Sequence, residues 1–594
     1  MNTSMQHYAR CSNNNIRSSI FIIILGIIVY GNHLQNPFQF DTVVYIVNNH
    51  TLDNVSEILN INFFKSNIFK NRGLLQISLA LNAHLDGFRT YSYHLVNLIL
   101  HLTNALLVYF ITRRIWCYFG SWGDRMQKND IHAISLFTAM LFLLHPIQTE
   151  SVIYTMGRSE VFSGTFYLSA FLLFQVCNDK KNPPKIKFKV LALLLIPAIF
   201  LLGFSVKQTL VTLPMILVFY FFLGREPGSY SINMLNKWKW EIGIISTIGL
   251  SVLFYKLLND ESFLIGPSNA GENIGRLNYI LTQPSVLLSY YLKLFFFPIN
   301  LNIDPDIQIV TQWWSWRFYS GIVVIIVAIF SAYRIKETRA PLFFIFWFLI
   351  VMSPSSSIIT LNDLAAEHRT YLALYSFCAV FAFFIYRMPC LVFRNYPEKS
   401  RTIIFTISIS IIILFSIITI QRNQIWASEV TLWNDTLKKS PNKIRPIINL
   451  AHAYTTFGSF DLAVRYYEKA MSINSKIFST NYNLGNLYLE SAREEEAIGL
   501  LETAALIRPN NLEVNVLLGE VYLKRKTVDR AEFYFKKALE LNPKNALAMR
   551  NLGIIYYFYL KKNKEAAVYF SRSLSINSNQ QGADNIRTLI KQIK

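Results

Sequence analysis

The chain has 594 residues, a mean hydropathy of +0.30 and an aromatic content of 15%. That composition excludes a wholly soluble protein of this length. A net charge of +21 beside long apolar runs belongs in cytoplasmic loops rather than in a nucleic-acid site. Cys11, Cys117, Cys177, Cys378 and Cys390 lack metal-ligand spacing, and neither a nucleotide-cradling glycine loop nor an HExxH helix occurs. No cofactor, metal or nucleic-acid partner is implied.

In chain order, apolar runs of spanning length fall near residues 18–31, 92–112, 131–145, 159–177, 189–204, 209–223, 241–258, 317–333, 340–354, 370–387 and 402–420. The segment 278–297 is apolar but broken by Gln283-Pro284. If it crosses the membrane, the later basic loops change sides. If it is interfacial or re-entrant, Arg113, Arg114, Lys185, Lys187, Arg334, Arg387 and Arg394 all share one side. The positive-inside rule favours the second topology, with about eleven spans and the C-terminal third outside the cytoplasm.

In that topology polar residues from separate loops reach the outer face. The first outer loop carries Asp41 and Arg72, and the second carries His145, Glu150, Arg158 and Glu160. Lys207 occupies a tight turn, Asp304 and Asp306 follow the broken segment, and Glu367-His368-Arg369 opens a later loop. Boundary charges often only snorkel, as Arg113 and the lysine cluster would. Acids, bases and histidines converging from many loops instead point to a site. A carboxylate there could deprotonate a hydroxyl, while Arg and Lys could hold a phosphate. His145 with Pro146 shapes its loop, and Glu367 could orient Arg369 through an ion pair.

From residue 444 the sequence repeats every 34 positions. Leu450, Leu484, Leu518 and Leu552 share one register, as do Ala451, Gly485, Gly519 and Gly553. Ala463, Ala497 and Ala531 recur likewise, and Tyr467, Leu501, Phe535 and Phe570 fill a large apolar position, with one extra residue in the fourth unit. This is the tetratricopeptide pattern of paired helices, about four repeats with a C-terminal cap. The expected division is a membrane domain at 1–420, a bridging half-repeat at 421–443 and a repeat domain at 444–594. The fold class is all-α, a polytopic helical bundle followed by an α-solenoid whose concave face suits a polypeptide.

Arg72-Gly73-Leu74, Tyr93-His94-Leu95-Val96-Asn97, His145-Pro146-Ile147-Gln148-Thr149-Glu150, Gly157-Arg158-Ser159-Glu160, Leu364–Leu372 and Ser440-Pro441-Asn442-Lys443 together resemble the transmembrane and tetratricopeptide-repeat family of glycosyltransferases. The resemblance covers nearly the whole chain. It implies a GT-C fold and transfer of mannose from a dolichyl- or polyprenyl-phosphate donor to Ser or Thr of a protein. It places Asp41 as general base, with Arg72, Arg158, Lys207 and Arg369 at the donor phosphate and His145, Glu150, Glu367 and His368 in support. Thr42 stands where the family carries a second Asp, Gln208 where it often has Glu, and Gly73 where a Pro is usual.

The reading is a membrane hexosyltransferase acting on the non-cytoplasmic side, with the repeats binding a protein acceptor or partner. The alternative is a non-enzymatic membrane-anchored repeat scaffold. It leaves about eleven spans unexplained, since one would anchor a scaffold. A bacterial inner membrane is favoured, or the endoplasmic reticulum in a eukaryote.

Overall fold

A computed structural model of the chain describes residues 2–40, 42–47, 72–119, 128–179, 183–223, 274–335, 338–358, 360–361, 363–580 and 582–593. These residues form helices and turns, with no β-strand among them. They divide into two compact units, residues 1–440 and 441–594. The helix Glu429–Lys439 therefore belongs with the first unit, by its contacts, rather than with the repeats.

In the first unit seven helices are long and apolar enough to cross a membrane: Asn15–His33, Thr90–Phe119, Thr155–Cys177, Ile186–Phe204, Trp316–Arg334, Glu367–Val392 and Pro397–Ile425. Asp130–Leu144 with Pro146–Ile153 makes an eighth, bent by 47°. Gln208–Leu223 and Ala340–Met352 are shorter apolar helices. Each expected run thus falls on an apolar helix, apart from 241–258, which lies outside the described residues.

Thr90–Phe119 sits centrally, packed on Lys128–Leu144 and Arg158–Cys177. Its polar residues turn inward and join helices. Asn104 Nδ2 donates to Val161 O at 2.8 Å, and His101 lies 2.8 Å from the Tyr371 hydroxyl and 3.1 Å from Leu143 O. Without water, such polar side chains bond across helices. Aromatic residues fill the rest. Trp347 is fully buried among Tyr167, Phe171, Phe343 and Tyr375, and its indole N–H donates to Leu372 O.

Pro284 does not interrupt its segment. Arg276–Ser285 continues through a π turn, Val286–Leu292, into Lys293–Phe296. Pro284 lies inside the α-helix and the chain stays helical past it. Gly321 passes so close that a Cβ there would lie 2.2 Å from Pro284 O, so the two helices meet only because residue 321 has no side chain.

The second unit is four helix pairs, Ile444–Thr456 with Phe460–Ile473, Phe478–Glu490 with Glu494–Ile507, Leu512–Lys524 with Val528–Leu541, and Ala546–Ile554 with Asn563–Ile576, closed by Ala583–Ile593. The extra residue of the fourth repeat is taken up by a π turn, Ile555–Tyr559. Asn515 is turned to its own backbone, donating to Pro509 O at 3.0 Å, Asn545 caps its helix at Ala548 N, and Asn483 donates to the Tyr467 hydroxyl. These amides tie the repeats to their own backbone and neighbours.

A Cβ on Gly519 would come within 2.7 Å of the Phe535 ring. Gly519→Val should therefore destabilise the repeat unit by about 1–3 kcal/mol, as overpacking does. Thermal unfolding of the full chain followed by proteolysis within residues 441–594 checks this.

Candidate functional site

The site residues arise where the helices of the first unit end in short irregular turns. After Leu144, Pro146 occupies the first position of a 3-10 turn and His145 caps it. His145 Nδ1 accepts from Ile147 N at 3.2 Å, which leaves its proton on Nε2 to donate to Phe295 O at 3.1 Å. Both ring nitrogens are occupied, so His145 joins this turn to the segment ending at Phe296.

The turn that follows carries Glu150 against His368. The His368 N–H donates to Glu150 Oε2 at 3.0 Å, and His368 Nδ1 lies 2.6 Å from Oε1. Gly157 closes this loop. A Cβ there would meet Ser151 O at 2.6 Å and Glu150 O at 2.9 Å. Only glycine lets the Thr155–Gly157 turn lie on the backbone that presents Glu150.

Arg158 is fully buried, and all three guanidinium nitrogens donate to protein oxygens. Nε reaches Asn97 Oδ1 at 2.9 Å, Nη1 reaches Asn82 Oδ1 at 2.7 Å and Ser78 O at 3.1 Å, and Nη2 reaches Tyr93 O at 3.0 Å. It ties Gly73–Asp86 and Thr90–Phe119 to its own helix. Glu160, two residues later, contacts the Lys207 ammonium.

Lys207 stands in extended backbone between two apolar helices. Burial pushes its pKa well below the usual lysine range; Arg72 and Arg369 deepen the shift by repulsion, and Glu150 opposes it. The contacting Glu160 carboxylate favours the charged form too, but desolvation prevails. Arg72, Lys207 and Arg369 thus form one group of interacting cations, edged by Glu150 and Glu160. Arg72 is exposed with a positive φ of 53°, and Arg369 Nη1 donates to Asp363 O at 2.8 Å.

Glu367 departs from expectation. It does not pair with Arg369. Its Oε1 accepts from the Tyr290 hydroxyl at 3.2 Å and from the Asn302 N–H, and Oε2 lies 3.9 Å from Arg422 Nη2. Arg422 in turn donates to Asp435 at 2.8 Å, and Lys439 to the same carboxylate at 2.6 Å. The sequence reading missed Arg422, Asp435 and Lys439. Arg422 looked like one more charge at a span end, and only its full burial marks it as structural. Asp41 lies outside the described residues, although Phe40 and Thr42 on either side are described, and Thr42 is fully buried. Among the described residues, no three His, Cys, Asp or Glu side chains come close enough to hold a metal ion.

Such a cluster is chemically suited to an anion. An anion bound beside a depressed lysine raises its pKa, which links anion binding to proton uptake. Below the lowered Lys207 pKa the ammonium is already present, and above it an arriving anion must recruit the proton. Affinity for a phosphate monoester should therefore fall as pH rises above the lowered Lys207 pKa, and Lys207→Arg should flatten the profile. Titration calorimetry at several pH values checks this. Arg158→Lys replaces a three-way fork by a point charge and should lower stability by about 3–5 kcal/mol, as for other broken buried charge networks, read as a fall in Tm in detergent.

Comparison with known proteins gives three kinds of match. Residues 444–477 and 488–548 match tetratricopeptide repeat family models. A protein O-mannosyl-transferase of Caenorhabditis elegans is 26% identical, covering 77% of this chain and 63% of the relative. Human protein O-mannosyl-transferase TMTC1 is 24% identical over 78% of this chain and 56% of its own length, and mouse TMTC3 is 24% identical over 95% and 64%. Among solved structures, the crystal structure of MamA covers 25% of this chain and 86% of its own, at 21% identity and a TM-score of 0.24. The chain spans about three-fifths of the length of the curated relatives it matches. Over most of its sequence, the chain is similar to these protein O-mannosyl-transferases, at 24–26% identity.

Proposed function

We propose that this protein is a membrane glycosyltransferase of GT-C type that moves a hexose, mannose by analogy with its relatives' names, from a polyprenyl- or dolichyl-phosphate to Ser or Thr of a protein. The observation that carries this reading is the cluster of Arg72, Lys207 and Arg369, set beside Glu150 and Glu160 where apolar helices end. A lipid phosphate enters the reaction with about one negative charge and leaves with about two, so fixed cations at that place stabilise the departing group more than the bound donor.

In this reading Asp41 takes the proton from the acceptor hydroxyl, whose oxygen attacks the anomeric carbon. The bond from that carbon to the phosphate oxygen breaks, and its electron pair leaves with the lipid phosphate. A single displacement inverts the anomeric centre. Arg72, Lys207 and Arg369 hold the phosphate. Arg158, with its nitrogens committed to protein oxygens, acts through the helices that it fixes rather than on the phosphate. Glu150 orients His368, and His145 and Glu367 hold the supporting turns. The reaction face and the repeats lie on the non-cytoplasmic side, where the repeats hold the acceptor as an extended polypeptide.

The test is transfer by the purified full chain from polyprenyl-phosphate-linked hexoses to a Ser/Thr-rich peptide pool. The parent should transfer, and Asp41→Asn should lose at least about 100-fold in kcat with the donor still bound, as for removal of a general base. Transfer by neither, with both folded and several sugars tried, would replace this reading with that of a membrane-anchored repeat scaffold. Equal transfer by both would remove Asp41 from its role.

A further inference from the structure

The helix Glu429–Lys439 is fixed at both ends. Ser428 and Thr431 form a capping box at its start, with Thr431 N donating to Ser428 Oγ at 3.1 Å and Ser428 N donating to Thr431 Oγ1 at 3.2 Å. At its end the Ser440 hydroxyl donates to Asp304 O at 2.9 Å and accepts from Asn302 Nδ2 at 2.8 Å, and the Lys439 ammonium donates to Leu301 O at 2.8 Å. Leu432, Trp433 and Leu437 are buried beneath it. Nothing in this anchoring requires charged side chains on its two working faces, yet both carry one.

At the first face, Glu429 Oε1 accepts from the Phe40 N–H at 3.2 Å. Phe40 has a φ of 57°, a left-handed backbone that a phenylalanine rarely adopts. Its ring stands edge-on to Trp433 at 4.9 Å and to Tyr154 at 5.4 Å, and tilted to Trp426 at 5.9 Å. A strained residue persists only where its surroundings over-determine it, and such residues gather at functional sites. Asp41 follows it directly in sequence. At the second face, Asp435 holds Arg422, and Arg422 lies 3.9 Å from Glu367, the residue before His368 and Arg369. Along the helix axis the two carboxylates are separated by six residues, about 9 Å.

We propose that this helix is a positioning element for the candidate site. Through Glu429 and Trp433 it sets the backbone that leads into Asp41, and through Asp435 and Arg422 it sets the turn that carries His368 and Arg369. One rigid body thereby holds Phe40, the residue before Asp41, against the turn of Glu367, His368 and Arg369. Glu429 and Asp435 are positioning residues and touch no substrate. The proposal rests on the transferase reading for its purpose, but its geometry can be tested without it.

The experiment uses the full chain in lipid nanodiscs with Glu429→Ala, Glu429→Gln and Asp435→Asn. Amide hydrogen exchange is followed in peptides covering residues 36–47 and 363–371, together with kcat and donor KM. Glu429→Ala should speed exchange in 36–47 alone and lower kcat about tenfold with donor KM within about twofold, because misplacing a reacting group costs rate rather than donor binding. Glu429→Gln keeps an oxygen acceptor for the Phe40 N–H and should restore both. Asp435→Asn should speed exchange in 363–371 alone and raise donor KM about fivefold. Unchanged exchange in both segments would overturn the proposal, as would faster exchange spread over the whole first unit, which marks a purely structural helix. A parent chain that transfers nothing would sink the transferase reading, while the exchange pattern would still decide whether the helix places these two loops.

Discussion

The first unit is governed by the cost of placing charge where water is excluded. A bare guanidinium or carboxylate in such a place is unfavourable by several kcal/mol, so each must be met by a partner or by several hydrogen bonds. Arg158 is met by oxygens from two other helices, Glu160 by Lys207, Glu150 by His368, and Glu367 by Tyr290, Asn302 and Arg422. None of these partners lies on the same helix turn. Each of these buried charges is therefore also a tie between distant parts of the sequence, and such ties join apolar packing in holding the irregular turns at the helix ends.

That constraint sorts the polar residues into two kinds. Arg158, Glu367 and Arg422 are enclosed and each bonds protein groups, Arg158 through all three guanidinium nitrogens. Arg72 and Arg369 each repel the Lys207 ammonium, and Glu150 attracts it. In the transferase reading proposed above, the enclosed charges shape the site and these cations meet the phosphate.

Much of this was legible in the sequence. The repeats were, because a register of 34 residues at several positions can come only from stacked equivalent units, and each Gly does face the large residue foreseen for it, as Gly553 faces Phe570. The apolar runs were, because length and hydropathy alone define them. Which polar loop residues pair was not legible. Arg158, Lys207 and Arg369 read alike in sequence, each one cation in a polar loop. What distinguishes them is which helices lie within reach, a tertiary property. For the same reason Glu367 was assigned to its neighbour in sequence, Arg369, when its partner lies fifty-five residues away in Arg422. Pro284 was read as a break because proline usually ends or kinks a helix, whereas here the helix runs through it.

A π turn also occurs in the repeats, with a consequence of its own. The fourth unit has one residue too many between Gly553 and Ala566, yet Ala566 is as fully buried as Ala497 and Ala531, since the π turn Ile555–Tyr559 holds the surplus inside the helix. The match to the tetratricopeptide models ends at residue 548, just ahead of that turn, while the packing runs on to the closing helix. The array therefore counts in helical turns and not in residues. A solenoid built this way can gain or lose a residue mid-helix and still pass an unbroken apolar interface to the next unit, so its length in space is better conserved than its length in sequence.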